Sequence, residues 1–321
     1  MPCPTGESLV ARPDLESLLR AIVDRAADPR IGIFGPGSVT WKINRESAVF
    51  LGAGRAALLQ LAHPWVAAAL AQHSSLLADP LARFHNTFRI VYTMIFGTLG
   101  QALAASRHLH TLHAGIQGEL PQSVAAWPQG AHYEANEIAP LRWVYATLVE
   151  SAVLAYECVL PLAPALREQY YQESKTMAAL FGIPPAALPA DWPAFAAYNQ
   201  QMHASDQLGV SPASFSMAQA VLTGAGSWIH PPPWYRALTA AWMPARPRAG
   251  FGLPADPDAV ARAQRWLPRM YRVLPATVRY VGPWHEAQAR LRGRPPGPLT
   301  RLNNRFWIGQ PTLPFSRESA P

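Results

Sequence analysis

Six histidines fall in the first third of the 321-residue chain: His63, His73, His85, His108, His110 and His113. Imidazole is a common ligand of haem iron and of other transition metals. Thiolate ligation is poorly supplied, because the two cysteines, Cys3 and Cys158, belong to no CxxC, CxxCH or Cys/His cluster. That argues against a disulfide scaffold, a zinc finger and c-type haem attachment. HExxH, HxxxH, GxSxG and ExxH are all missing, so the zincins, the α/β-hydrolases and the di-iron carboxylate bundles lack their ligand or nucleophile spacing. The run Gly52-Ala53-Gly54-Arg55-Ala56-Ala57 fits GxGxxA, but neither a second strand nor a suitably spaced acid follows it. Its expected role is close packing at a helix start.

Two segments bring polar and apolar groups together as a cofactor slot would require. Arg83, Thr87, Ile90 and Met94 share one face of a helix by i, i+4 and i+3 spacing, and Leu109, His113 and Ile116 share another. If the glycine-marked break at 97–100 folds these segments into an antiparallel hairpin, Arg83, Thr87 and His113 come to one level. From the residues alone, His113 has three readings. It is a haem ligand, half of a His110/His113 pair holding a non-haem metal with a carboxylate, or a hydrogen-bonded histidine in a cofactor-free helical scaffold. His108 and His110 are expected at the surface or a pocket rim. Glu150 and Glu157 lie seven residues apart on one helical face, with Ser151 adjacent. Glu150 is the acid/base candidate outside a cofactor shell, since a buried carboxylate needs a partner or a raised pKa.

The elements that must position these groups read as helices. Apolar residues recur at helical spacing over 13–27, 46–73, 83–96, 101–118, 137–160, 162–180 and 192–202, then in a proline-separated series from 214 to 291. The glycine-broken stretch 31–44 is expected to be a loop, and Pro80 suits a first helical position. The last thirty or so residues read as a tail that wraps or hangs loose. No strand alternation appears, so the expected fold is all-α, one multi-helix globular domain. Along it, 1–30 is an N-terminal helix, 31–255 the main helical domain, and 256–321 C-terminal helices and an Arg/Pro-rich tail packed on the same domain.

Composition agrees with that class. Half of the residues are hydrophobic and 15% are charged, against about 25% in an average soluble domain, which excludes disorder of the whole chain. The 33 prolines form no repeat with glycine, which excludes a collagen-like chain. The first residues hold no apolar stretch of signal-peptide length, and the expected location is the cytoplasm. The apolar run Trp143 to Leu166 is long enough to span a bilayer, but it carries Glu150 and Glu157 and breaks at Pro161. It reads as a buried helix rather than an integral membrane segment. Net charge is +7, and twelve arginines lie between Arg246 and Arg305, where Asp256, Asp258 and Glu286 are the acids. They match no nucleic-acid motif and read as a solvated helical surface, so no nucleic-acid partner is expected.

The sequence resembles the haem-dependent oxygenase family of the latex-clearing proteins (rubber oxygenases) and MpaB-like oxygenases. The likeness rests on GRAALLQLAHPWVAAALAQHS (54–74), DPLARFHNTFRIVYTMIFG (79–97), HTLHAGIQG (110–118) and ANEIAPLRWVYATLVESAVLAYE (135–157). YYQESKTMAALFGIP (170–184) extends it, and weaker similarity runs to about residue 255. The resemblance implies an all-α fold with b-type haem in a slot between helices, whose proximal iron ligand falls on His113 of the HxxIxG element, where Ile116 also lies. It sets the family's RxxxT element on Arg83 and Thr87, Arg83 organising the pocket or a propionate and Thr87 donating near the distal side. Two departures stand out. Asn86 replaces the lysine that precedes the threonine in rubber oxygenases, and no glutamate occupies 66–70. With Asn86 there, the sixth iron position falls to water, or to His63 or His85. His63 is either a distal residue or a structural cap before Pro64. The implied partners are O2, an apolar substrate of alkene or prenyl-like character, and an electron donor. Without the lysine and the glutamate, a haem-binding sensor, carrier or weak peroxidase is the alternative.

Overall fold

The computed structural model describes residues 9–74, 76, 79–225 and 230–315; Cys3 lies outside them. Sixteen α-helices and one short antiparallel hairpin are found among the described residues, so the fold is all-α. Local chemistry explains where the site-bearing helices start. Helix α5 (Pro80–Phe96) begins with Pro80 in its first turn, while the Asp79 carboxylate accepts the Ala82 N–H at 2.8 Å. Helix α6 (Leu99–Ala114) opens with a capping box, in which the Thr98 hydroxyl accepts from Gln101 N–H and the Gln101 side chain accepts from Thr98 N–H. The break between them is Gly97-Thr98, and α5 and α6 pack against each other as the expected hairpin.

Around this hairpin lies the main core, to which α1 (Arg12–Val23), α2 (Val39–Asn44), α7 (Ile138–Val159) and α8 (Pro164–Leu180) contribute. Helix α1 buries Leu15, Leu19 and Ile22, one stripe of its surface. Helix α7 is long and apolar enough to cross a membrane, but its middle is packed inside the protein against α3 (Ala53–Leu61), α8 and α13 (Pro257–Val273). The Trp143 indole on α7 donates to Leu59 O at 2.9 Å, and the Trp41 indole on α2 donates to Ile95 O at 2.9 Å. Each buried ring thereby satisfies its N–H on a neighbouring helix.

Four readings change. The stretch 31–44 is not wholly a loop, because Ser38 caps α2 by accepting the Trp41 N–H. The 46–73 helix is three pieces: a 3₁₀ turn at Ser47–Gly52, α3, and α4 (Pro64–His73), broken where Pro64 cannot donate to a preceding turn. The helix expected to run to Gly118 stops at Ala114. Gly115 and Gly118 interrupt it, and the chain enters a hairpin of β1 (Gln117–Glu119) and β2 (His132–Glu134), with Gly118 opposite Tyr133. Finally, the C-terminal region does not hang loose. Helix α16 (Pro298–Ile308) packs on α5 and α15 (Gly282–Leu291).

The GxGxxA element is close packing, as expected. A β-carbon on Gly52 would lie 2.4 Å from Ser151 O of α7, so only glycine lets the start of α3 approach that backbone.

Candidate active site

A cavity of about 410 Å³ opens between α3, α5, the start of α11 (Pro233–Trp242) and α16. Phe50, Phe84, Phe88, Leu81 and Trp307 furnish much of its apolar wall, and Ala53, Ala56 and Ala57 keep α3 slim on one side. The Phe50 and Trp307 rings stack with centroids 4.1 Å apart. Such a chamber is suited to an apolar ligand oriented by few polar groups.

Among the polar lining residues, most already have partners. The Gln60 amide donates to Thr147 Oγ1 at 3.0 Å, and the Tyr235 hydroxyl accepts from Gly54 N–H and donates to Phe50 O. Thr87 donates to Arg83 O of the preceding turn at 3.0 Å, so it presents its oxygen to the cavity chiefly as an acceptor. Arg83 differs from these. Its guanidinium makes no hydrogen bond or ion pair among the described residues, and enclosure by protein pulls its pKa below the ordinary arginine value. The side chain retains solvent-reached area because it lines the chamber.

His113 lies in the last turn of α6, within electrostatic reach of Arg83. Burial lowers its pKa to about 4, assisted by the Arg83 charge and by His110, so the imidazole is neutral. Its ring makes no hydrogen bond among the described residues. His113 is not itself part of the cavity wall; Arg83 is shared between the wall and the surroundings of His113. The hairpin thus brings Arg83 within electrostatic reach of His113, with Thr87 one turn further along α5 from Arg83.

The other candidates lie elsewhere. Asn86 is exposed on α5, and Ile116 packs near Trp127 and Tyr133 beside the β-hairpin. His63 is 3% exposed, sits at the start of α4 and makes no side-chain cap bond. Its ring packs 5.7 Å from Trp127 and 6.3 Å from Trp65, with Nδ1 unpartnered and its pKa lowered to about 4 by burial. His85 is drawn to α16, its Nε2 lying 3.0 Å from Phe306 O. His110 Nε2 lies 2.8 Å from Val10 O. Glu150 is held by Arg55 at 2.6 Å, and Arg55 also donates to Ser151 Oγ and Trp242 O. His203 stands 3.6 Å from Glu150, its pKa lowered by burial. Glu157 pairs with Arg167. No cluster of three or more His, Cys, Asp or Glu side chains suited to a metal occurs among the described residues.

The family model described as ER-bound oxygenase mpaB/B'/rubber oxygenase, catalytic domain, matches residues 41–280. The chain belongs to this family. The matched span contains the α5–α6 hairpin, His113 and most of the cavity wall, and an oxygenase-type function follows from it. Neither a curated protein nor a solved structure matches the chain significantly. Phe306 and Trp307 lie beyond the matched span, yet they close the cavity. Sequence reading missed them because they sit in an Arg/Pro-rich region taken as a tail. The i, i+1 aromatic pair within a Pro-started, Gly-ended helical segment was the available signal.

Proposed function

We propose that the protein is a haem b-dependent oxygenase that uses O2 to oxidise an apolar substrate of alkene or prenyl-like character. The observation that carries this reading is a neutral imidazole, His113, within electrostatic reach of a guanidinium, Arg83, that lines an apolar chamber, both without a hydrogen-bond partner among the described residues. That donor set fits haem: a neutral imidazole ligates iron, a free guanidinium meets a propionate, and apolar walls accept the macrocycle or substrate. When bound, the haem supplies iron at which O2 is activated and the redox steps occur.

The chain's own contributions are positional. His113 would hold the iron, and its position in the last helical turn is fixed by the capped α6 helix and by the hairpin that follows. Arg83 would anchor an anionic group at the chamber's edge. Phe50, Phe84 and Phe88, which offer no hydrogen bonds, and the Trp307 ring stacked on Phe50 exclude water and orient the substrate by shape. Thr87 accepts a hydrogen bond at the wall more readily than it donates one. Asn86, being exposed, leaves the cavity-facing side of α5 without a lysine.

The test is O2 uptake with product analysis, using haem-replete protein and a panel of alkenes, terpenoids and unsaturated fatty acids. The reading expects uptake with at least one of these, and a fall of about tenfold or more in kcat/KM for Trp307→Ala, because an apolar wall that positions the substrate is removed. Absence of uptake and product across the panel in protein with full haem occupancy would overturn the oxygenase reading.

A further inference from the structure

Helix α16 turns Asn304, Trp307 and Ile308 inward and leaves Leu299, Leu302 and Phe306 outside, on one line by i, i+3 and i+7 spacing. Leu299 is 72% and Leu302 63% exposed. Asn303, on the same side, donates through Nδ2 to Thr277 O at 2.9 Å and Tyr280 O at 3.3 Å. That bond lays α14 (Ala276–Arg279), with its exposed Val278, alongside α16. Just before α14, helix α13 ends at Val273, 74% exposed, with Met270 and Trp266 behind it on the same stripe. Exposed large apolar side chains on α13, α14 and α16 exceed what scattered surface residues account for.

Arginines flank this surface. Arg262, Arg265, Arg269 and Arg272 on α13 and Arg301 and Arg305 on α16 are all exposed. Between Asp258 and residue 315 the acid is Glu286. It is buried, accepting from Asn304 Nδ2 and Leu313 N–H. The face therefore combines an apolar centre with a cationic rim, and the exposed carboxylates Asp256 and Asp258 stand at the opposite end of α13 from Met270 and Val273.

We propose that this face docks the protein on the surface of an anionic lipid bilayer. Charge complementarity selects that occupant. A symmetric pairing of two copies would set six arginines against six, with Asp256 and Asp258 at one end of α13 as the exposed acids to offset them. A nucleic acid would satisfy the arginines but leave Leu299, Leu302 and Val273 without use. A bilayer interface accepts both, with apolar side chains entering the acyl boundary and guanidinium groups meeting phosphate. The location has a consequence for the cavity. Phe306 is both 47% exposed and part of the cavity wall, and Trp234, beside the Pro231-Pro232 rim, packs on Trp266 with ring centroids 5.2 Å apart. A molecule dissolved in the bilayer would thus meet the chamber's edge directly, a consequence that rests on the apolar-substrate reading; the docking itself does not.

The experiment is vesicle co-sedimentation of the full chain, which needs neither haem nor turnover and so fails or succeeds independently of the oxygenase reading. Vesicles of phosphatidylcholine containing a quarter phosphatidylglycerol are compared with pure phosphatidylcholine, at low and high salt. Binding to the anionic vesicles is expected, weakened at high salt. A fall of about tenfold is expected in Leu299→Ser/Leu302→Ser and, separately, in Arg269→Gln/Arg272→Gln/Arg301→Gln/Arg305→Gln. All of these side chains are exposed, and unchanged thermal midpoints confirm folded variants. Equal binding by wild type and both variants, or no binding to anionic vesicles, overturns the proposal. So does a stable dimer in sedimentation velocity that Leu299→Ser/Leu302→Ser dissociates, since the face would then belong to a second copy.

Discussion

His63 and His113 are both held neutral by burial, but their settings differ. His113 stands beside a cation at the end of a helix, whereas His63 lies among indole rings with Nδ1 unpartnered. For His63 the folded pKa is about 4, against an unfolded value near 6.5. Between these values the unfolded chain takes up a proton that the folded chain refuses, so stability falls as pH falls through that window and levels off below it. The full effect is about 3 kcal/mol. Thermal melts of the wild type from pH 7 to pH 4 should therefore show a drop that is markedly smaller in His63→Phe, which has no proton to gain. Equal pH dependence in both proteins would contradict this. Sequence reasoning offered a distal or a capping role for His63. The ring makes no cap bond, and its packing partner Trp127 is 64 positions away along the chain, beyond the reach of local sequence pattern.

At the scale of elements, the site depends on two close approaches of backbone. Gly52 allows the start of α3 to meet α7, and Gly309, in the left-handed conformation at φ 69°, ends α16 against the His85 ring. A β-carbon at Gly52 would sit 2.4 Å from a carbonyl oxygen, so Gly52→Ala should cost about 2 kcal/mol or more, read as a lowered denaturant midpoint. Loss of nucleotide binding is not expected in that variant, since the glycines serve packing. Most helices were legible from apolar spacing, and the start at Pro80 from the local action of proline in a first helical turn; the caps Ser38 and Thr98 act just as locally but went unread, which left 31–44 a loop and set the start of α6 at 101. The C-terminal end of α6, the β-hairpin and the docking of α16 were not legible. They depend on partners distant in sequence, such as Tyr133 donating to Gln72 at 2.9 Å and Arg89 donating to Ile308 O at 3.1 Å.

For the whole molecule, the chain builds an apolar chamber whose walls come from both ends of the family's catalytic domain and from a helix beyond it. Arg83 and Thr87 were legible as a pair by helical spacing, and the approach of Arg83 to His113 by the hairpin argument. The chamber itself was not, because Phe50, Tyr235 and Trp307 converge only after α3, α11 and α16 have packed. The buried Glu46, held by Arg279 at 2.7 Å and by the Tyr271 hydroxyl at 2.9 Å, ties the two ends of the matched span together. The central claim is that this scaffold presents His113 to haem iron with Arg83 beside it. It is tested most directly by the absorption spectrum of the haem-reconstituted protein, oxidised and reduced, beside His113→Ala. The account predicts a Soret band and haem b visible bands in the wild type that are lost or shifted in the variant. A featureless wild-type spectrum, or identical spectra for the two proteins, would contradict it.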